Sequence, residues 1–171
     1  SATYTLTQSE VGKYIQVGVS YTDDDGGVES HSDTHLVVVA NVNDNPTGVV
    51  TITGTATEDQ DLTASNSLAD EDVLGAITYT WSNGDTGATT TLGQSDVGKA
   101  IAVTASYTDG QGTAESEISA ATSAVANVND DPTGSVVISG TATEDQELSI
   151  TNTLADEDVL GSFSYVWNRA G

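Results

Sequence analysis

The chain has 171 residues, of which 26 are Asp or Glu and only 3 are Lys or Arg, so its formal charge at pH 7 is −23. This charge argues strongly against a nucleic-acid-binding protein, which needs a basic face, and against docking on an anionic membrane. Cysteine is absent and there are only two histidines, which leaves little material for nucleophilic or acid–base catalysis. With no catalytic constellation in the sequence, we expect a protein that is not an enzyme.

The apolar share is low, at 36%. Low apolar content with high charge can indicate disorder, but here the apolar residues alternate with polar ones, which favours a folded chain. The longest aliphatic run, residues 36–40, is far too short to insert into a membrane.

The sequence repeats itself at an offset of 86 residues, without a gap: residues 1–85 and 87–171 are identical at 48 of 85 positions. Both prolines lie in Asn- and Asp-rich stretches, which are typical of linkers between domains. We therefore expect one complete domain over residues 46–131. The C-terminal half of a domain would precede it over 1–45, and the N-terminal half of another would follow over 132–171. The clearest recurring phrases are residues 41–48 and 127–134, 68–75 and 154–161, and 8–13 and 94–99.

Taken in chain order, the complete repeat predicts six or seven short strands. Residues 50–53 (VTIT), 62–64 (LTA), 77–81 (ITYTW) and 101–107 (IAVTASY) alternate apolar with polar side chains. This period of two is typical of half-buried antiparallel strands, and Gly- and Asp-rich turns separate the strands. The pattern predicts an all-β fold, an antiparallel β-sandwich.

Two details indicate an immunoglobulin-like (cadherin-like) sandwich. Trp81 lies on the third predicted strand, where such domains bury a tryptophan. Residues 10–16 (EVGKYIQ) resemble the acid-x-Gly-x-Tyr-x-Cys turn that leads into strand F, with Gln in the place of Cys. The second copy has Ala100 in the place of the tyrosine.

The acidic residues fall on loops that this fold would gather where one domain meets the next. Residues 58–59 (loop A–B), Asp96 (loop E–F), the linker residues 129–131, and Asp156 and Asp158 (loop B–C of the next domain) would meet at one such junction. Crowded carboxylates repel one another, and a hard cation such as Ca²⁺, which takes about 6–8 oxygen ligands, would neutralise them. The candidate calcium ligands are Glu10, Asp23, Asn43, Asp44, Glu58, Asp59, Asp70, Asp72, Asp96, Asp109, Asn129, Asp130, Asp131, Glu144, Asp145, Asp156 and Asp158.

The linker 41–46 (NVNDNP) resembles the x-Asn-Asp-x-Pro calcium linker between cadherin repeats. Asp70, Asp72 and Glu58 match other cadherin ligand segments, although the Glu-containing E–F motif is reduced to a single acid. The whole unit is similar to the tandem cadherin-like or Ig-like repeats of giant bacterial surface adhesins of the RTX and VCBS type. The phrases that carry this resemblance are residues 4–13 (YTLTQSEVGK), 54–58 (GTATE), 68–72 (LADED) and 106–116 (SYTDGQGTAES).

This resemblance implies a secreted, cell-surface protein in which the repeats form a calcium-stiffened spacer. The expected partners are neighbouring repeats of the same chain, or head-to-tail copies that complete the half-domains. A host or surface glycan would be bound through other domains.

Several alternatives remain open on the sequence alone. The linkers can be solvated hinges, and Asp23 and Asp109 can serve hairpin turns. The chain can be a calcium-dependent module that binds a glycan or a protein, although it has only nine aromatic residues (six Tyr, two Trp and one Phe). His31, Asp33 and His35 could hold zinc from one strand face, but the second copy lacks them.

Overall fold

The computed structural model describes residues 3–169 and confirms the all-β prediction. Its only helical elements among these residues are two 3₁₀ turns, Gln8–Glu10 and Gln94–Asp96, and no helix there is of a length and apolarity that would cross a membrane. The strands of the described chain are β1 Ile15–Thr22, β2 Val28–His35, β3 Val50–Gly54, β4 Asp61–Asn66, β5 Thr78–Trp81, β6 Thr89–Thr91, β7 Val103–Thr108, β8 Ala114–Ile118, β9 Val136–Gly140 and β10 Leu148–Asn152.

The central part of the chain forms two three-stranded antiparallel sheets. One has the strand order β3-β4-β6 and the other the order β5-β7-β8. In the first sheet Leu62 lies opposite Thr90, and in the second Trp81 lies opposite Val103. Both sheets contribute to one buried apolar cluster, an arrangement consistent with a β-sandwich.

The buried cluster follows the alternation in the sequence. Leu62, Trp81, Ile101 and Val103 are all fully buried, whereas the neighbouring Thr63 and Thr80 are exposed and Thr104 is half-buried. The Trp81 indole is also satisfied, because its Nε1–H donates to the Gly87 carbonyl oxygen over 2.9 Å. The period-two pattern therefore identified the core-facing positions correctly.

The two flanking segments are hairpin-like and form no cluster of their own among the described residues. β1 pairs with β2 and β9 pairs with β10, each as a separate two-stranded antiparallel sheet. Every member of the buried cluster lies between Val50 and Val125. Two-stranded sheets are marginally stable in water by themselves, so the structural stability is concentrated in the centre.

One close backbone approach positions the acidic loop that follows β4. A Cβ atom added to Gly75 would lie 1.9 Å from the Thr108 carbonyl oxygen, so only glycine fits against the end of β7. Next to it, the Gly110 N–H donates to the carbonyl oxygens of Asp72 and Val73, each over 2.9 Å. These contacts bring the loop after β4 and the loop after β7 to one end of the central sheets.

Candidate metal centre

Two sets of segments meet around the two linkers of the chain. We define the first junction as the turn 8–10, the linker 41–46, the loop 70–75 and the loop 109–113. We define the second junction as the loop 55–60, the turn 94–96, the linker 127–132 and the loop 156–161. Hydrogen bonds join segments distant in sequence at each junction.

Asp72 connects three segments of the first junction. Its side chain is 0% exposed. Oδ1 accepts a hydrogen bond from Gln8 Nε2 over 2.7 Å, and Oδ2 accepts one from the Asp44 backbone N–H over 2.9 Å. A buried carboxylate is costly unless it is hydrogen-bonded, and here the turn and the linker satisfy it.

Asp70 holds the shape of the same loop. Oδ1 accepts from the Asp72 backbone N–H over 2.8 Å, and Oδ2 accepts from the Tyr107 hydroxyl over 2.5 Å. Burial raises the pKa of Tyr107, and the Asp70 carboxylate raises that pKa further by hydrogen bonding and by its charge. Tyr107 therefore stays a neutral donor that fixes the loop against β7.

Asp109 lies buried in the loop after β7, with only 6% of its surface exposed. Oδ1 accepts from the backbone N–H groups of Gln111 and Thr113 over 2.9 and 2.7 Å. Burial alone would raise the pKa of Asp109, but hydrogen bonds from Thr113, Gln111 and Gly112 outweigh it and lower the pKa. The other oxygen, Oδ2, is buried and has no hydrogen-bond partner.

A carboxylate cluster forms at the second junction. Glu58, Asp130 and Glu157 each place a carboxylate oxygen within 4.8 Å of the others. They come from the loop after β3, the linker and the loop after β10. Glu58 is 1% exposed, and its Oε2 accepts from the Val128 backbone N–H over 3.0 Å. The linker thus covers Glu58 and brings Asp130 beside it.

Asp158 repeats the role of Asp72 at the second junction. Oδ2 accepts from the Asp130 backbone N–H over 2.9 Å and Oδ1 from Asn127 Nδ2 over 2.7 Å, and these bonds lower the pKa of Asp158. In contrast, the pKa of Asp130 is raised, by desolvation first and then by neighbouring negative charges, beginning with Asp59 and Asp158. The local potential is therefore strongly negative around Asp130.

Three buried side-chain atoms in the described chain have no hydrogen-bond partner: Asn41 Oδ1, Gln94 Oε1 and Asp109 Oδ2. All three are oxygens, and all three lie on the linker, turn or loop segments of the repeat. An unpaired buried acceptor is costly, whereas a cation would satisfy it.

Two predicted ligands, Glu10 and Asp96, accept hydrogen bonds from groups of their own turns. Glu10 accepts from the Thr7 backbone N–H over 2.8 Å and from the hydroxyls of Thr7 and Ser9, which together lower the pKa of Glu10 to about 2, the Ser9 bond contributing most. Asp96 is buried and accepts from the Gly93 backbone N–H over 3.2 Å. Both carboxylates cap 3₁₀ turns, a role that the sequence analysis did not anticipate.

The remaining predicted ligands lie outside the carboxylate cluster. Asp23 closes the hairpin between β1 and β2, because its Oδ1 accepts from the N–H groups of Asp25 and Gly27 over 3.1 and 2.7 Å. Asp156 accepts from the Asp158 N–H over 2.9 Å. Asp44 is half-buried in the linker. Asp23 is exposed, and so are the other predicted ligands Asn43, Asp59, Asn129, Asp131, Glu144 and Asp145.

Sequence reasoning missed Glu157, the third member of the cluster. Its two neighbours, Asp156 and Asp158, were predicted as ligands, yet the side chain between them is the one that reaches Glu58 and Asp130. It also missed Gln8, which binds Asp72. Both positions repeat unchanged at the 86-residue offset, as Glu71 and Gln94, and that invariance is the signal that could have found them.

Comparison of the chain with protein-family models, curated proteins and solved structures finds no match. Function is therefore inferred from the geometry and chemistry of the two junctions.

Proposed function

We propose that the chain is a calcium-stiffened spacer, an array of tandem immunoglobulin-like repeats of an extracellular bacterial adhesin or surface filament. The observation that carries this proposal is the cluster of Glu58, Asp130 and Glu157, which draws one carboxylate from each of three segments. An ion held there ties the end of one repeat, the linker and the start of the next repeat together.

The chemistry of the cluster favours a hard cation. Its three members offer only carboxylate oxygens, without imidazole or thiolate, and such a donor set suits Ca²⁺ or Mg²⁺ better than zinc or copper. Calcium takes about 6–8 oxygens in irregular geometry, so it can recruit backbone and amide oxygens from neighbouring loop segments. Mg²⁺ requires a compact octahedron and retains water, which a cluster assembled from three loops fits less well.

Repulsion between the carboxylates gives the ion its structural effect. Asp130 already has a raised pKa because desolvation and like charges disfavour its ionised form. A divalent cation reverses that penalty and favours the arrangement in which all three segments meet. The linker is then held in one orientation, and the array resists bending.

The unpaired oxygens extend the argument to both junctions. Gln94 Oε1 lies on a segment of the second junction, while Asn41 Oδ1 and Asp109 Oδ2 lie on segments of the first. Calcium accepts amide and carboxylate oxygens alike, so these atoms are suited to complete its coordination. Extracellular calcium modules work with dissociation constants of about 10⁻⁴–10⁻³ M, which matches a surface location.

The test is a calcium titration of the full chain with a matched pair of variants. Glu58→Gln removes one charge from the cluster and keeps the shape of the side chain. Glu144→Gln makes the same change at the repeat counterpart, which is exposed. Isothermal calorimetry and thermal unfolding are measured in Ca²⁺, in Mg²⁺ and in chelator.

We expect calcium to raise the unfolding temperature, by a free energy of about 2.7 kcal/mol at a hundredfold excess over the dissociation constant. Glu58→Gln should weaken this effect, and Glu144→Gln should not. Small-angle scattering should show a more bent chain in chelator. Equal calcium responses of the two variants and the wild type, or no calcium binding at millimolar concentration, would overturn the proposal.

A further inference from the structure

The turn between β5 and β6 contains the only Asn-Gly pair in the sequence, Asn83-Gly84. This pair is chemically labile, because the Gly84 backbone nitrogen can attack the Asn83 side-chain carbonyl carbon and close a five-membered ring. Such attack within one chain is fast when the groups are close, and glycine has no Cβ atom to hinder it. Gly84 is exposed, and a Cβ atom added to it would meet nothing within 4 Å among the described residues, so the surroundings leave this turn sterically open.

The folded turn nevertheless holds both reacting groups by hydrogen bonds. The attacking group, the Gly84 N–H, donates to the Trp81 carbonyl oxygen over 2.9 Å. The side-chain oxygen of Asn83 accepts from the Asp85 N–H over 3.1 Å. Ring closure needs the Gly84 nitrogen to lose its proton, so the bond to Trp81 must break first. The reaction is therefore expected from an opened form of the turn.

The amide nitrogen of Asn83 has three acceptors around it. Nδ2 donates to Thr90 Oγ1 over 3.2 Å, to Asp85 Oδ2 over 3.3 Å and to Asp96 Oδ2 over 3.4 Å. The Thr90 hydroxyl also donates to Asp85 Oδ2. Asn83 is half-buried, while Thr90 and Asp96 are buried, so water has limited access to this site. The position suits a neutral donor held between two carboxylates.

We propose that Asn83 is a site of spontaneous deamidation, and that the closed turn of residues 81–87 suppresses the reaction. When the turn opens, the Gly84 nitrogen forms a bond to Asn83 Cγ and the bond between Cγ and Nδ2 breaks. Nδ2 leaves as ammonia with the proton from the backbone nitrogen. Water then opens the cyclic imide at either of its carbonyl groups and gives aspartate or isoaspartate, so position 83 gains a negative charge.

The deamidated product fits the closed turn poorly. A carboxylate at position 83 has no hydrogen to donate to the three acceptors, and it adds a third negative charge beside two carboxylates. Like charges in a partly desolvated site disfavour one another. The turn also holds the core tryptophan, because the Trp81 N–H donates to the Asp85 carbonyl oxygen over 2.8 Å and the indole donates to Gly87. Deamidation is therefore expected to loosen the turn and to weaken the central fold.

The first experiment compares the folded full chain with the same chain unfolded in urea. Both are incubated at mildly alkaline pH, in calcium and in chelator, and peptide mapping by mass spectrometry follows aspartate and isoaspartate at each asparagine. We expect Asn83 to react at least about tenfold faster in urea, because only the opened turn reacts. Equal rates in the two states would overturn the proposal. So would an Asn83 amide that survives in urea as long as that of Asn66, which precedes a serine.

A matched pair of variants tests the protecting side chains. Asp85→Ala removes an exposed carboxylate that accepts from Asn83 and Thr90. Asp61→Ala removes an exposed carboxylate that accepts from the Thr91 hydroxyl over 2.6 Å, and it is the control. In the folded state Asp85→Ala should deamidate roughly fivefold faster than the wild type, the effect of about one net hydrogen bond, and Asp61→Ala should not. Equal folded-state rates for the two variants would contradict protection by these contacts.

The product is tested with Asn83→Asp and with the double variant Asn83→Asp/Asp85→Asn, which exchanges the amide and the carboxylate. Asn83→Asp should lower the urea midpoint, and the amides of Trp81 and Gly84, which donate within the turn, should exchange faster. The double variant should recover most of the midpoint, because it restores a donor between two carboxylates. A single variant as stable as the wild type, or a double variant no more stable than the single one, would overturn the proposed charge conflict.

Discussion

Residues 54–60 and 140–146 have the same sequence, GTATEDQ, yet the glutamate of the first copy is buried and that of the second is exposed. Glu58 is covered because residues 126–128 run along its loop, with the Glu58 N–H donating to the Ala126 carbonyl oxygen over 2.9 Å and the Val128 N–H donating to the side chain. Burial at this position is thus a property of the neighbouring linker and not of the local sequence.

The same contrast extends over the whole repeat. Identical or similar residues are core in residues 46–131 and surface in residues 132–169, because only the former have their partner strands within the described chain. Substitutions made at both members of a repeat pair therefore isolate the effect of the surroundings while the residue type is kept constant.

The largest contrast is expected for the two tryptophans. Trp81→Ala removes a 2% exposed side chain from the central cluster and should lower the free energy of unfolding by about 3–5 kcal/mol, with or without calcium. Trp167→Ala should change it by less than about 0.5 kcal/mol, because Trp167 is 54% exposed. Urea denaturation measures both, and similar losses for the two variants would show that the C-terminal segment has a core of its own.

A second contrast concerns the glycines that end the two LADEDVLG phrases. An added Cβ at Gly75 would meet the Thr108 carbonyl oxygen at 1.9 Å, whereas at Gly161 it would meet nothing within 4 Å. Gly75→Ala should therefore cost at least about 1–3 kcal/mol through overpacking, while Gly161→Ala should be close to neutral. The comparison is made by thermal unfolding, and a neutral Gly75→Ala would mean that the loop after β4 does not lie against β7.

Much of the central fold could be predicted from sequence, because strand alternation is a local signal that the core obeys. Leu62, Trp81 and Val103 are buried where their period-two pattern places them. Comparison of the two copies of the repeat likewise identified the loops that carry acidic residues. The burial of Glu58 could not be predicted in the same way, because it depends on Val128 in the linker, which lies 70 residues away in the sequence.

The individual roles of the acids were harder to predict than their locations. Glu10, Asp23 and Asp96 accept hydrogen bonds from nearby N–H groups of their own turns, and a carboxylate in such a turn has the same sequence signature as one that binds a metal. Glu157 reaches the cluster because of the way its loop turns, which residue spacing does not specify.

A third, smaller contrast tests the hydrogen-bonding role of Asp72 separately from calcium. Asp72 accepts from two donors, Gln8 Nε2 and the Asp44 N–H, and an asparagine side chain in its place would offer only one oxygen to them. In chelator, Asp72→Asn should therefore cost about 1–3 kcal/mol, because one buried donor loses its acceptor. Asp158→Asn should cost less, since Asp158 is only half-buried and water can replace the lost bond.

Hydrogen exchange locates the effect of Asp72→Asn. The Asp44 amide, which donates to the Asp72 carboxylate, should lose protection, while the amides of β7 should not. An unchanged unfolding free energy and unchanged exchange at Asp44 in chelator would mean that Asp72 acts on the junction only when a metal is bound.

The smallest expected effect comes from backbone strain next to the same loop. Val73 has φ 75° and Val159 has φ 71°, a left-handed conformation that a β-branched residue rarely adopts. The Gly110 N–H donates to the Val73 carbonyl oxygen over 2.9 Å and holds that residue in place, so the strain there is offset within the central fold.

Val73→Asn should stabilise the protein by about 1 kcal/mol, because asparagine tolerates this conformation and replacing the exposed valine loses little packing. Val159→Asn is the matched change in a segment outside the buried cluster, and it should leave the denaturation midpoint of the central fold unchanged. A loss of stability for Val73→Asn would show that the valine side chain makes a contact worth more than the strain it imposes.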